Sequence, residues 1–133
     1  MSTRSKPIVV GAFRELGGDE DSPSIRDEIG RIAQADRPTV AAYLDGGIPL
    51  TAVPGSDRDA IDGSVVVRSP SILTDGVHLW RRDLAHYVEK YGVGLQASIL
   101  ASIRAGHSPP SRLDDDRYSE LAHWVARRLR NSM

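Results

Sequence analysis

The chain has no cysteine, which excludes disulfide frameworks, thiolate zinc sites and cysteine nucleophiles together and fits a reducing cytoplasm. No apolar run approaches the roughly 18 residues that a spanning helix needs. The stretch Ile8 to Phe13, behind the basic start M-S-T-R-S-K-P, is far shorter than the apolar core of a secretion signal, so a cytoplasmic location is expected. Charge of one sign is missing as well: a formal net charge of -1 gives no broad attraction to nucleic acid or to an anionic membrane. Aromatic residues make up only 5%, so each is worth locating. The glycine-led catalytic motifs are absent too, with no G-x-S-x-G, no Walker lysine–serine pair and no G-x-G-x-x-G after the first strand. Gly17-Gly18 stands beside Asp19, Glu20 and Asp21, a loop that would repel phosphate.

What is present reads as an ordinary globular chain. Its 133 residues, 40% hydrophobic and 26% charged, suffice for one core that buries roughly two thirds of the unfolded surface. Residues 1–6 read as a disordered leader and 7–133 as a single domain. Ile8, Val9, Val10 and Phe13 suit a short buried strand within Pro7 to Arg14. Ser22-Pro23-Ser24 offers a cap and a first-turn proline ahead of Ile25, Ile29 and Ile32, whose spacing predicts an amphipathic helix from Ser24 to Ala33. Asp36 can cap a second short helix carrying Val40, Tyr43 and Leu44, with Gly46-Gly47 as a left-handed termination. Ile48 to Val53 returns to strand chemistry, at an edge because Pro49 cannot donate to a ladder. After the loop Pro54 to Gly63, the three valines of Ser64 to Arg68 predict another strand, broken at Ser69-Pro70.

The run Ser71 to Tyr91 carries the most specific signal, because its hydrophobic period changes at Trp80 from that of a strand to that of a helix. It is a hairpin feeding a helix. Asp75-Gly76 predicts a tight two-residue turn, which pairs Thr74 with Val77, Leu73 with His78, Ile72 with Leu79 and Ser71 with Trp80. That register puts Ile72, Thr74, Val77 and Leu79 on one face, the first, third and fourth of them as core builders, and Leu73, His78 and Trp80 on the other. Leu84, Tyr87, Val88 and Tyr91 then form a helical stripe that Gly92 ends. Leu95, Ile99 and Ile103 continue in a helix closed by Gly106. The last helix begins at Asp114 to Asp116, buries Tyr118, Leu121, Ala122, Val125 and Leu129, and finishes with Arg127, Arg128 and Arg130, so that both ends complement the macrodipole. The expected class is α+β: a small, mainly antiparallel sheet with a central D-G hairpin, packed by about four to five helices.

Candidate chemistry is sparse. The histidines at 78, 86, 107 and 123 lack the spacing that places paired metal ligands on one helix face; His86 and His123 read as surface residues and His107 as a loop residue, while His78 stands beside Trp80. Asp57, Asp59 and Asp62 could suggest hard-cation ligands, but the glycine and glutamate positions of an EF-hand loop are not met. They read as a solvated loop, and no metal or cofactor is expected. Trp80 is the remaining candidate. If a helix covers only the Ile72 face, then Leu73, His78 and Trp80, with Arg81 and Arg82, form a patch of the residue types that anchor protein partners. If a second helix covers the Trp80 face, the patch is core.

Ile72 to Leu95, I-L-T-D-G-V-H-L-W-R-R-D-L-A-H-Y-V-E-K-Y-G-V-G-L, resembles a pattern in short actinobacterial proteins, in which a hairpin turn is followed by tryptophan, then D-L-A-x-Y-V and Y-x-V-x-L-P. G-A-F-R-E-L, Gly11 to Leu16, and A-Y-L-D-G-G, Ala42 to Gly47, are similar too, so the likeness spans about Ile8 to Arg104. The chain departs from it at His78, where another aromatic is common, and at Gln96, where proline is common. Small α+β proteins of this kind are similar in scale and class to immunity proteins of bacterial toxin systems. The expected function is therefore a cytoplasmic, non-enzymatic protein-binding domain, an immunity- or antitoxin-like inhibitor that occludes its partner. Trp80, Arg81 and Arg82 would anchor it, and the acidic loop with Asp57, Asp59 and Asp62 would meet a basic site. The alternatives are a small enzyme using His78 with Asp83 or Asp75 as its carboxylate, and a nucleic-acid accessory protein using the C-terminal arginines.

Overall fold

The computed structural model describes residues 6–51 and 57–131, with side chains described as far as residue 128. Most of the expected leader, the far end of the expected Ile48 to Val53 strand, the first residues of the Pro54 to Gly63 loop, and the side chains of Leu129 and Arg130 lie outside the described residues. The fold is α+β, with a four-stranded sheet in the order β1-β4-β3-β2. Strand β1 is Ile8–Val9, β2 Ile48–Pro49, β3 Ile72–Thr74 and β4 His78–Arg81. The hairpin β3–β4 is central, β2 joins β3 antiparallel at one edge, and β1 lies parallel to β4 at the other. Pro49 thus sits on an edge strand, where its missing donor is harmless. The expected Pro7 to Arg14 strand shortens to Ile8–Val9, with Val10 still bonded to β4 through its amide. Gly11 then turns the chain aside at a φ of +71°, a conformation other residues resist.

The expected helix Ser24 to Ala33 is instead a 3-10 turn at Ile25–Glu28. Ser24 caps it as anticipated, its Oγ accepting from the Arg26 amide at 3.2 Å. The helix does not propagate because the amides of Gly30 and Ile32 donate to the carbonyls of Tyr91 and Gly92 at 2.8 and 2.9 Å, tertiary partners that replace helical ones. Ile25 and Ile32 are buried, but Ile29 is exposed.

Helix α1, Arg37–Asp45, buries Val40, Tyr43 and Leu44; Asp36 sits at its cap position without a side-chain bond. Gly46 ends it at a φ of -86°, not in the left-handed region. Glycine is required one residue later for room: a Cβ on Gly47 would lie 2.6 Å from Trp80 Cζ2 and 2.9 Å from Leu73 Cβ. Helix α2, Leu84–Tyr91, buries Leu84, Ala85, Tyr87 and Val88 and ends at Gly92 with a φ of +64°, as its stripe predicts. Helix α3, Ala97–Arg104, buries Ile99 and Ile103.

Helix α4, Asp115–Asn131, follows Asp114, whose Oδ1 accepts from the Arg117 amide at 2.8 Å. Its Leu121 and Val125 meet Leu79 in a second core, while Tyr118 is exposed instead of buried. The larger core holds Leu73 and Trp80 with residues of α1, α2 and α3. Apolar side chains therefore cover the sheet on both faces. Each fully buried one, such as Leu121, contributes about 1.5–3 kcal/mol relative to exposure. No helix among the described residues is long and apolar enough to cross a membrane.

The hairpin register is Thr74 with Leu79, Leu73 with Trp80 and Ile72 with Arg81, shifted by two residues from the expected pairing. The loop is longer because Asp75 organises it: Oδ1 accepts from the Val77 and His78 amides at 2.9 and 2.7 Å. Thr74 Oγ1 accepts from the Gly76 amide and donates to the His78 carbonyl. A two-residue slip preserves side-chain alternation, so the division of β3 and β4 into two faces stands. Val77 leaves the ladder, however, and is 51% exposed instead of core.

Candidate functional site

The Trp80 patch is not a surface. Leu73 and Trp80 are each 1% exposed, and Trp80 Nε1 donates to the Leu44 carbonyl at 3.0 Å with its ring tilted against Tyr43. This satisfies the indole's polar edge, as a core tryptophan requires. Alternation sends Arg81 to the opposite face, where Nε and Nη2 donate to Asp83 at 3.0 and 2.7 Å and Nη2 also donates to Asp57 at 2.9 Å. Burial alone would lower the pKa of Arg81, but Asp83 and Asp57 carry it above the ordinary value. Of the expected anchors only Arg82 is exposed.

One acid of the 57–62 loop, Asp59, turns inward. Asp59 has a fully buried side chain, and its Oδ1 accepts from the amides of Ile61 and Asp62 at 2.7 and 3.1 Å. Oδ2 lies 2.7 Å from His86 Nε2 and accepts from the Tyr91 hydroxyl at 2.9 Å. Burial would raise this carboxyl's pKa; His86, the two amides and Tyr91 reverse the effect and hold it below the ordinary value. Asp62 accepts from Ser64 and from Lys90, and Lys90 holds its pKa well below the usual range. Arg68 closes the far end with bidentate bonds of 2.8 Å to Asp45 and a further bond to Glu89. Asp57, Asp59 and Asp62 thus brace residues 57–68 against β4 and α2, with the Asp59 side chain enclosed and those of Asp57 and Asp62 60% and 38% exposed. His86, expected at the solvated surface, is part of this brace.

Braced in this way, Ser64 to Arg68 becomes no ladder strand; it forms one antiparallel bridge, Val65 with Arg58. The bridge spends the inner backbone groups, since the Asp59 amide donates to the Ser64 carbonyl at 2.7 Å and the Val66 amide to the Asp57 carbonyl at 3.2 Å. Val66 is fully buried, while Val65 and Val67 are 62% and 92% exposed. Their amides and carbonyls take no hydrogen-bond partner among the described residues. The result is an open backbone edge at Val65 beside two exposed β-branched side chains, with the chain bending at Val67 and Arg68.

His78 lies elsewhere and is not packed solely on apolar groups. Its Nδ1 is 2.8 Å from Asp75 Oδ2 and its Nε2 is 2.9 Å from Ser98 Oγ. The Tyr43 hydroxyl donates to the same Asp75 oxygen at 2.7 Å. Burial would raise the Asp75 carboxyl, but these donors hold it below its ordinary value; the Tyr43 hydroxyl is pushed well up by burial and by Asp75. A cavity of about 410 Å³ opens beside the cluster. Asp83, the other carboxylate considered for His78, is committed to Arg81. Sequence reasoning missed Ser98 and Tyr43 here, since neither is near His78 in the chain.

It also missed Trp124, whose place three residues after Leu121 on the apolar stripe could have drawn notice. Trp124 packs on the second core and carries the Arg128 guanidinium 4.7 Å above its ring. That contact occupies one of the arginines considered for nucleic acid. Among the described residues no group of three or more His, Asp or Glu side chains could hold a metal ion. No family model, curated protein or solved structure matches the chain.

Proposed function

We propose that the chain is a cytoplasmic protein-binding domain of the immunity- or antitoxin-like kind, which occludes a partner by pairing with an extended segment of it along Val65 to Val67. The supporting observation is the unpaired outer edge of that segment, with Val65 and Val67 at 62% and 92% exposure. An open edge of main-chain donors and acceptors is a template for strand addition, in which backbone bonds supply affinity and outward side chains supply selectivity. Preorganisation favours this, because a loop already fixed by Asp59, Asp62 and Arg68 avoids an ordering penalty of about 0.5–1.5 kcal/mol per side chain on docking. The action is steric, with no chemical step in it. Recognition passes from the acids to the valines, whose apolar surface suits a shallow apolar groove flanking the partner's strand.

A photo-crosslinking residue placed at position 67 in the native cell tests this reading. The expected result is one discrete protein adduct, lost when Val65→Pro removes an edge donor and absent when the probe sits at exposed position 101 on α3. The same diffuse pattern from both positions would overturn it.

A further inference from the structure

We infer that Ser98, His78 and Asp75 form a nucleophilic site that accepts the acyl group of a small ester, an activity beyond the docking reading and independent of it. The three side chains are in series: Ser98 Oγ to His78 Nε2 at 2.9 Å and His78 Nδ1 to Asp75 Oδ2 at 2.8 Å. Asp75 is held in place by the Val77 and His78 amides and the Tyr43 hydroxyl. An ionised carboxylate accepts only, so the imidazole proton belongs on Nδ1 and the Nε2 lone pair faces the serine hydroxyl. That is the tautomer a general base needs.

Exposure is graded in the same sense. The side chains of His78 and Asp75 are each 5% exposed, whereas Ser98 is exposed at the second position of α3. The cavity beside it, about 410 Å³, has Ile8, Val77 and Pro110 in its wall, room for a short acyl chain. The first main-chain bond of α3 is the Leu100 amide to the Gln96 carbonyl, so the amides of Ala97, Ser98 and Ile99 precede any helical acceptor.

In the step, Ser98 Oγ bonds to the ester carbonyl carbon as its proton passes to His78 Nε2. The carbon–oxygen bond to the alcohol then breaks and the alcohol leaves with that proton. Water, deprotonated by the same nitrogen, attacks the acyl-serine, releasing the carboxylic acid and restoring Ser98. Ser98 and His78 are the catalytic residues; Asp75 and Tyr43 position the imidazole.

A fluorophosphonate probe with peptide mapping reads the site directly. Ser98 should be labelled faster than the neighbouring exposed Ser108 by about 100-fold or more, the range of an assisting base. Ser98→Ala should remove the adduct, and His78→Gln should bring the Ser98 rate down to that of Ser108, with circular dichroism confirming the fold of each. Because Ser108 is an internal reference, a His78→Gln chain that fails to fold leaves the comparison in the unaltered protein intact. Equal labelling of Ser98 and Ser108 would overturn the inference and leave the cluster as a fastening between hairpin and α3.

Discussion

Replacing Asp59 with alanine should detach residues 57–68 from α2. The carboxylate receives the Ile61 and Asp62 amides, the Tyr91 hydroxyl and His86 Nε2. Hydrogen bonds to a charged group are worth about 1.5–3 kcal/mol each, and a simple sum over four would exceed 6 kcal/mol by this rule. The loss cannot reach that figure, because the loop can open and return its amides to water. Opening surrenders mainly the burial of Val66, fully enclosed, at about 1.5–3 kcal/mol, together with the bond from the Ala60 amide to the Tyr87 hydroxyl. The expected destabilisation is therefore about 3 kcal/mol, or roughly 10 °C in Tm for a domain of this length. Asp59→Asn keeps the shape and the acceptor for both amides, and should lose about 1–2 kcal/mol. Urea unfolding followed by circular dichroism measures both. Wild type, then asparagine, then alanine is the expected order of stability; an alanine variant within about 0.5 kcal/mol of wild type, the range of an uninvolved surface site, would refute the brace.

Adjacent glycines should respond in opposite ways. Gly47→Ala drives a Cβ to 2.6 Å from Trp80 and 2.9 Å from Leu73, and overpacking of this kind costs about 1–3 kcal/mol, whereas Gly46→Ala meets nothing nearer than 3.5 Å and should leave Tm unchanged or raised. Acid should weaken the fold in a defined window. Asp59 and Asp75 have folded pKa values held below 3.8, so the unfolded chain takes up protons first as pH falls. Their contribution is present above the ordinary carboxylate range and is lost as pH drops through the folded values. Urea titrations at near-neutral pH and at about pH 3 should show the loss, and Asp59→Asn should reduce it; an equal loss in both chains would exclude Asp59 as a source.

The elements that could be read from the chain are those whose residues settle their own conformation. The α2 stripe ends at Gly92 because the stripe and the left-handed glycine agree, and Asp114 caps α4 from the adjacent residue. Readings failed where a distant group decided. Ser24 caps its turn, yet the carbonyls of Tyr91 and Gly92 stop a helix from following. Asp75-Gly76 signals a tight turn, but the Asp75 side chain claims the next amides and its second oxygen takes Tyr43 and His78, adding two residues to the loop. The face assignment survived only because a slip of two keeps the alternation. Asp57 and Asp62 are exposed, as a solvated loop requires, but Asp59 is enclosed because its partners His86 and Tyr91 lie on a helix that comes later in the chain. The exposure of Trp80 was a question of whether α1 covers it, which no local pattern contains.

Amide-resolved hydrogen exchange tests most directly whether the acidic loop is a brace that displays a free edge. The amides of Asp59, Ile61, Asp62 and Val66 are bonded and those of Val65 and Val67 are not. Protection of the first four with rapid exchange at Val65 and Val67 is the predicted pattern. Uniformly rapid exchange from 57 to 67 would contradict it, leaving no preorganised edge for a partner to join.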